Sequence, residues 1–439
     1  MTARTGSARA GALALIAKLA GAGLGIVVNI VLARLMGPES FGLYALGIAL
    51  GTVVAVVASG GMPFGAVRFL PDYLARGDFA ALRGFLRASL VVTVLGGALC
   101  MAAMLLSASL LDQNTLMVPV LPWAALMVVP AALAQSLASL LQARSHVAGP
   151  EIVQSLVRQG ATLGLIGVWI ALGGVLEFRS ALGLAALAVA LAALALWLHL
   201  MRLGRDEPRP AAATREGLRL WMGAGAGILV ILIMAALNER VDLFVLGWLA
   251  TPAELGIYSA SVRIASVAIL ALAGLGAAYT PRIAAAWARR DRREVERLCR
   301  ECALAGTALT VAMTLGAYVA GGFVLSLFGP EFRAGATVLT ILLAAQVAVG
   351  AMGMASGLAV ISGNSHIALT GVAIGLVVNA VTGVLLVPQL GMTGAAIGVV
   401  AGFAMSQAVI GIWCSLRLGL RATLLPIGRR VSGVGVGHA

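Results

Sequence analysis

The sequence predicts an all-α polytopic membrane protein with twelve transmembrane helices arranged as two parallel six-helix repeats. Three observations predict it. Of 439 residues, 61% are hydrophobic and 11% charged, far from the usage of soluble domains. Apolar runs of the ~20 residues needed to cross a bilayer recur from end to end. The third is that the stretch Leu32 to Tyr44 occurs twice. Leu32, Leu35, Pro38, Gly42 and Tyr44 meet their like at Leu246, Leu249, Pro252, Gly256 and Tyr258. Without a gap, the same register pairs Gly60 with Gly274, Arg68 with Arg282, Arg76 with Arg290 and Arg83 with Arg297. A proline, two glycines, a tyrosine and three arginines in one frame mark an internal duplication. The motif reads as a helix end, a turn opened by proline, and a new helix whose aromatic sits at the membrane interface.

Hydropathy places six spans at 11–35, 41–63, 88–111, 117–141, 152–174 and 180–203. Six more lie at 218–249, 255–279, 303–328, 336–361, 367–387 and 391–416. The chain therefore divides into an N-lobe, 1–203, a linker, 204–217, a C-lobe, 218–416, and a tail, 417–439. The linker carries Arg205, Asp206, Glu207, Pro208, Arg209 and Pro210. A second echo, Ser145-His146 against Ser365-His366, places Gln159 of helix 5 against Asn379 of helix 11. Six helices is an even number, so both halves enter from one side, as repeats about an axis along the membrane normal.

Net charge +13 would suggest nucleic acid in a soluble protein, but here the cations sit in alternate loops. The outer loops hold only Arg34, Arg179 and Arg333, and Lys18, Arg240 and Arg263 lie within spans. The positive-inside rule then puts both termini in the cytoplasm, with no nucleic-acid partner. The most charged loop follows helix 8, from Arg289 to Arg300. It reads either as a solvated, topology-setting face or as a short amphipathic helix on the inner membrane surface, touching anionic lipid.

Nothing in the sequence points to an enzyme. It holds no nucleotide-binding glycine loop, no nucleophile beside a base and no metal-ligand cluster. Cys299 and Cys302 form a CxxC without the second pair or histidine that a zinc site needs. No cofactor is expected, apart from coupling to Na⁺ or H⁺. The candidate site residues are the polar ones inside the bilayer, where a charge costs about 2.5–3.5 kcal/mol. Helix 7 contains Glu239, Arg240 and Asp242, and helix 8 contains Arg263. Counted from the turn at Pro252, Arg240, Asp242 and Arg263 share one depth, so Asp242 and Arg263 can form a structural ion pair or line a cavity. Lys18 either snorkels or serves the site. Asn29, Gln159 and Asn379, like Gln407, either hydrogen-bond a sugar or hold helices together.

Gly37-Pro38-Glu39-Ser40-Phe41-Gly42-Leu43-Tyr44 resembles the helix 1–2 junction of polysaccharide transporters, the Wzx-type lipid-linked oligosaccharide flippases. So does Asp242 followed by Leu-Phe-Val-Leu-Gly, with Gly256-Ile257-Tyr258-Ser259-Ala260. Phe328-Gly329-Pro330-Glu331-Phe332 is similar to that family's helix 9–10 turn, and Asn379 with Leu386 to Ala396 to its helix 11–12 junction. The motifs resemble the wider multidrug/oligosaccharidyl-lipid/polysaccharide (MOP) exporter superfamily as a whole. The resemblance implies MATE-like lobes forming a V around a central cavity in a bacterial inner membrane. It implies a flippase moving undecaprenyl-diphosphate-linked repeat units to the outer leaflet for O-antigen, capsule or exopolysaccharide. Arg263, Arg240 and Lys18, with the three amides, would face the lipid-linked oligosaccharide, while Glu239 and Asp242 would couple the ion. Membrane lipids, a polysaccharide polymerase and glycosyltransferases are the implied partners. A Na⁺- or H⁺-coupled multidrug exporter of the same fold is the alternative, although helix 1 lacks the carboxylate many of those carry. A lipid II flippase and a non-transporting scaffold of a synthase complex are further readings.

Overall fold

The computed structural model describes residues 2–111, 115–146, 148–204 and 217–418. The predicted linker, apart from Gly204 and Gly217, and the tail beyond residue 418 lie outside them. Every regular element among the described residues is helical. In order they are α1 (Thr2–Ala58), α2 (Met62–Arg76), α3 (Phe79–Leu110), α4 (Met117–Ala143), α5 (Ala148–Ile152), α6 (Arg158–Ala171), α7 (Phe178–Leu203) and α8 (Leu218–Asn238). There follow α9 (Val241–Leu249), α10 (Pro252–Ala288), α11 (Arg292–Ser326), α12 (Ala336–Met352), α13 (Ala355–Ile361), α14 (Ser365–Leu390) and α15 (Met392–Trp413). A π turn, Val153–Val157, joins α5 to α6, a 3₁₀ turn, Pro330–Gly335, precedes α12, and a second π turn, Cys414–Leu418, follows α15.

Ten of these helices are long and apolar enough to cross a membrane. One of the ten runs 46 residues, Leu13–Ala58, or about 70 Å at 1.5 Å per residue, over twice a bilayer core. It is two helices meeting at Gly37, whose φ of 71° and ψ of 175° are not helical. The interrupted segment 148–171 supplies one more crossing. Twelve crossings result among the described residues, at the positions hydropathy predicts.

The helix ends differ from that prediction in informative ways. The second repeat motif opens as expected, with Thr251 capping α10 and Pro252 in its first turn. Its tyrosine is not an interfacial anchor, however. Tyr258 is fully buried, and Tyr44 nearly so, because both rings turn into the helix bundle. Gly60 and Gly274 share a register but not a conformation. Gly60 has φ 58° in the break between α1 and α2, whereas Gly274 lies inside the unbroken α10.

The arginine-rich loop after helix 8 is the tip of a helical hairpin rather than a separate surface helix. Asp291 caps α11 by accepting from the Glu294 N–H. Val295, Leu298 and Cys299 pack on Ile283 and Ala286 of α10 and on Leu358 of α13. Protein thus covers the apolar face of this segment, and the arginines stay outside it.

Two compact units divide the chain, Met1–Ala236 and Leu237–Ala439. The division falls inside the seventh crossing, and α8 meets the rest of the first unit near its start, at its buried residues Trp221 and Gly225. A Cβ on Gly61 would lie 2.6 Å from the carbonyl oxygen of Gly225. Trp221 donates its indole N–H to the Tyr73 hydroxyl at 2.9 Å and sets its ring edge-to-face on Phe85.

Candidate functional site

In the second unit the seventh crossing is interrupted at Glu239 and Arg240. Arg240, at φ −137°, stands at the head of α9 and is half-buried, while Glu239 is exposed. Asp242, one residue into α9, is buried. Its carboxylate accepts the Tyr258 hydroxyl at 2.6 Å and the Leu243 N–H at 2.9 Å. Arg240 is close enough to attract it electrostatically.

The partner of Asp242 is therefore Tyr258 rather than Arg263. Backbone depth matches Asp242 to Arg263, but a phenol satisfies a carboxylate without burying a second charge, which costs less than a buried ion pair. Arg263, on α10, is half-buried.

Helices α14 and α15 meet along two stripes of small residues at four-residue spacing. Gly371, Gly375, Asn379 and Gly383 face Gly394, Gly398, Gly402 and Ser406. The backbones nearly touch: a Cβ on Gly402 would lie 2.6 Å from the Gly375 carbonyl oxygen, and one on Gly375 2.9 Å from that of Gly402. Small residues allow this approach, which drives helix association where no hydrophobic effect operates. Asn379 takes a glycine's place in the α14 stripe and is 6% exposed.

Beside the stripes lies a cavity of about 150 Å³, lined by residues that include Asn238, Ser356, Asn379, Phe403, Ser406 and Gln407. It brings one of the predicted site residues, Asn379, together with Gln407. Among the described residues no titratable side chain lines it.

The predicted residues of the first unit are placed differently. Asn29 donates to the Gly25 carbonyl of its own helix at 2.6 Å. Gln159 lies against Gly25, its Nε2 within 2.7 Å of where a Cβ there would stand, and Ser155 packs on Gly21. Here Gln159 packs helix on helix, with Gly21 and Gly25 forming a small-residue face toward the segment that carries the π turn, while Asn29 bonds only its own helix. Lys18 is exposed on α1.

Arg158 was missed from the intramembrane bases. It opens α6, half-buried, directly after the π turn, and its Nε donates to the Gln154 carbonyl at 3.0 Å. It is close enough to Tyr44 for the two to interact electrostatically. The signal was present, since position 158 lies inside the predicted fifth span, and π turns often mark functional positions.

The four cysteines are free thiols. Among the described residues no group of three or more His, Cys, Asp or Glu side chains is placed to hold a metal ion.

Comparison with known proteins adds two family matches. The polysaccharide biosynthesis protein model matches residues 7–287, and the MatE model matches residues 227–385. No curated protein matches the chain. Among solved structures, the fold resembles the inward-facing conformation of a multidrug resistance MATE family transporter of the MOP superfamily. The TM-score is 0.76 at 16% identity, covering 92% of this chain and 98% of that one. The lipid II flippase MurJ, in its inward closed conformation, gives 0.71 at 11% identity, covering 91% and 86%. A MOP superfamily transporter from Pyrococcus furiosus gives 0.59 at 16% identity, covering 92% and 95%. At these identities the neighbours establish a MATE-like membrane fold and leave the cargo open.

Proposed function

The chain belongs to the polysaccharide biosynthesis protein family, and on that footing we propose that it flips undecaprenyl-diphosphate-linked oligosaccharide across a bacterial plasma membrane, by alternating access. The observation that carries this reading is the family match over residues 7–287. The chemistry of the intramembrane residues supports it. In the second unit Arg263 and Arg240 supply guanidinium groups, whose planar forks suit the oxygens of a lipid diphosphate. The first unit, taken by itself, carries Arg158 and the exposed Lys18. Glu239 and Asp242 are the carboxylates through which a Na⁺ or H⁺ gradient would act. A polymerase and glycosyltransferases would hand the cargo on and supply it. The second reading, an ion-coupled multidrug exporter, draws on the MatE match over residues 227–385.

Deletion of the gene separates the two. Surface glycan should disappear, lipid-linked repeat units should accumulate on the cytoplasmic leaflet, and drug tolerance should stay unchanged. Complementation with Arg263→Ala, at normal protein level, should behave like the deletion, and Arg263→Lys should restore part of the activity. Normal glycan with raised sensitivity to cationic drugs would replace the flippase reading by the exporter.

Both termini belong in the cytoplasm on this reading. Cysteines introduced at Arg209, Glu331 and the C-terminal tail should label from inside, outside and inside in turn. Labelling of Arg209 and Glu331 from one side would overturn the orientation.

A further inference from the structure

The cavity beside the α14–α15 stripes holds an unusual stock of unspent polarity. Asn379 lies 14 residues into α14 and 11 from its end, hence about 21 Å and 17 Å from the two ends and near mid-membrane. Its amide makes no side-chain hydrogen bond with another described residue, although the side chain is 94% buried by its 6% exposure. Nor do the side chains of buried Ser406 and of half-buried Asn238, Ser356 and Gln407 around the same space hydrogen-bond another described residue. In a membrane interior, polar groups without partners are costly and are met by protein, water or ligand. Three amides and two hydroxyls offer donors and acceptors in mixed directions, with no charge. Phe403 contributes an aromatic surface to the same wall.

We infer that this cavity is a subsite for one sugar ring of the lipid-linked cargo. The inference rests on the flippase reading and adds to it a place where the glycan, rather than the diphosphate, is held. A neutral ring bearing several hydroxyls matches the lining. A phosphate or carboxylate does not, because no cation lines the cavity, and an apolar drug would leave five polar groups unmet. Its volume, about 150 Å³, is on the scale of a single sugar ring rather than of a whole repeat unit. The rest of a repeat unit therefore lies outside it.

The test uses the full-length protein in lipid nanodiscs and three probes. These are undecaprenyl diphosphate, glucosyl-diphospho-undecaprenol and N-acetylglucosaminyl-diphospho-undecaprenol. In the wild type at least one sugar-bearing probe should bind more tightly than the bare diphosphate. Asn379→Leu, which keeps the side chain's shape, should erase about tenfold of that gain per hydrogen bond lost. It should leave affinity for the bare diphosphate unchanged. Gln407→Met is the second variant, placed off the helix-packing stripe in case Asn379→Leu folds poorly, and it should act in the same direction. Equal binding of all three probes by the wild type would overturn the subsite. So would variants that keep the whole sugar gain, which would mark the cavity as a water pocket. Absence of binding by any of the three probes would instead overturn the flippase reading on which the inference stands.

Discussion

Replacing Gly402 by leucine should leave almost no folded protein. The Cβ would meet the Gly375 carbonyl oxygen at 2.6 Å and the Asn379 Cβ at 2.8 Å. The first of these neighbours is backbone and cannot rotate away. The helices would have to part, and Gly375 and Gly398 would lose their close approach along with Gly402. Overpacking by single methylenes costs about 1–3 kcal/mol in a well-packed core, and leucine adds a whole side chain. Most membrane-protein stability here comes from such van der Waals contact, so little else can compensate. Gly402→Ala should be intermediate. Gly316→Leu is the control, because nothing lies within 4 Å of a Cβ at that position. Size-exclusion chromatography of detergent-extracted protein reads the outcome. A monodisperse Gly402→Leu protein at wild-type yield would show that the stripes do not hold the second unit together.

The second large effect concerns Tyr258. Changing it to phenylalanine removes the 2.6 Å donor from a buried carboxylate, leaving Asp242 with the Leu243 N–H alone. Stranding a buried acceptor costs about 1–3 kcal/mol, and more when it is charged, so abundance and melting temperature should both fall. The double variant Asp242→Leu with Tyr258→Phe should recover, since neither group is then left unmatched. If Arg263→Ala lowered abundance and removal of Asp242 restored it, an Asp242–Arg263 pair would have to replace the Asp242–Tyr258 contact.

The same residues show what was legible from sequence. The duplicated proline turn was, because Pro38 and Pro252 restrict the backbone locally, whatever packs around them. The positions of the twelve crossings were legible too, since length and hydropathy are properties of each segment alone. The stripe of Gly371, Gly375 and Gly383 was readable at four-residue spacing, as was that of Gly394, Gly398 and Gly402, and it would have set α14 against α15.

The partner of Asp242 was not legible. Depth counted along two backbones places Cα atoms, while the reach of a phenol and the avoidance of a second buried charge decide the contact. The amides divided for the same reason. Asn29 turned back on its own helix, Gln159 met the face of α1, and Asn379, in an equally apolar run, met a space that exists only once Asn238, Ser356, Ser406 and Gln407 have converged on it.

The π turn at Val153–Val157 bears on how the two halves correspond. Each residue of an α-helix advances the direction of side chains by about 100°, and a π turn adds one residue to the ladder. Everything after it in the fifth crossing is thereby swung about the axis relative to an unbroken helix. Gln159 comes two residues after the turn, and Asn379, its partner by number, sits in the uninterrupted α14. One amide meets α1 and the other opens toward α15. Equal numerical register therefore does not give the two positions a common bearing, and deleting one residue of the turn would swing Gln159 off Gly25 and Arg158 with it.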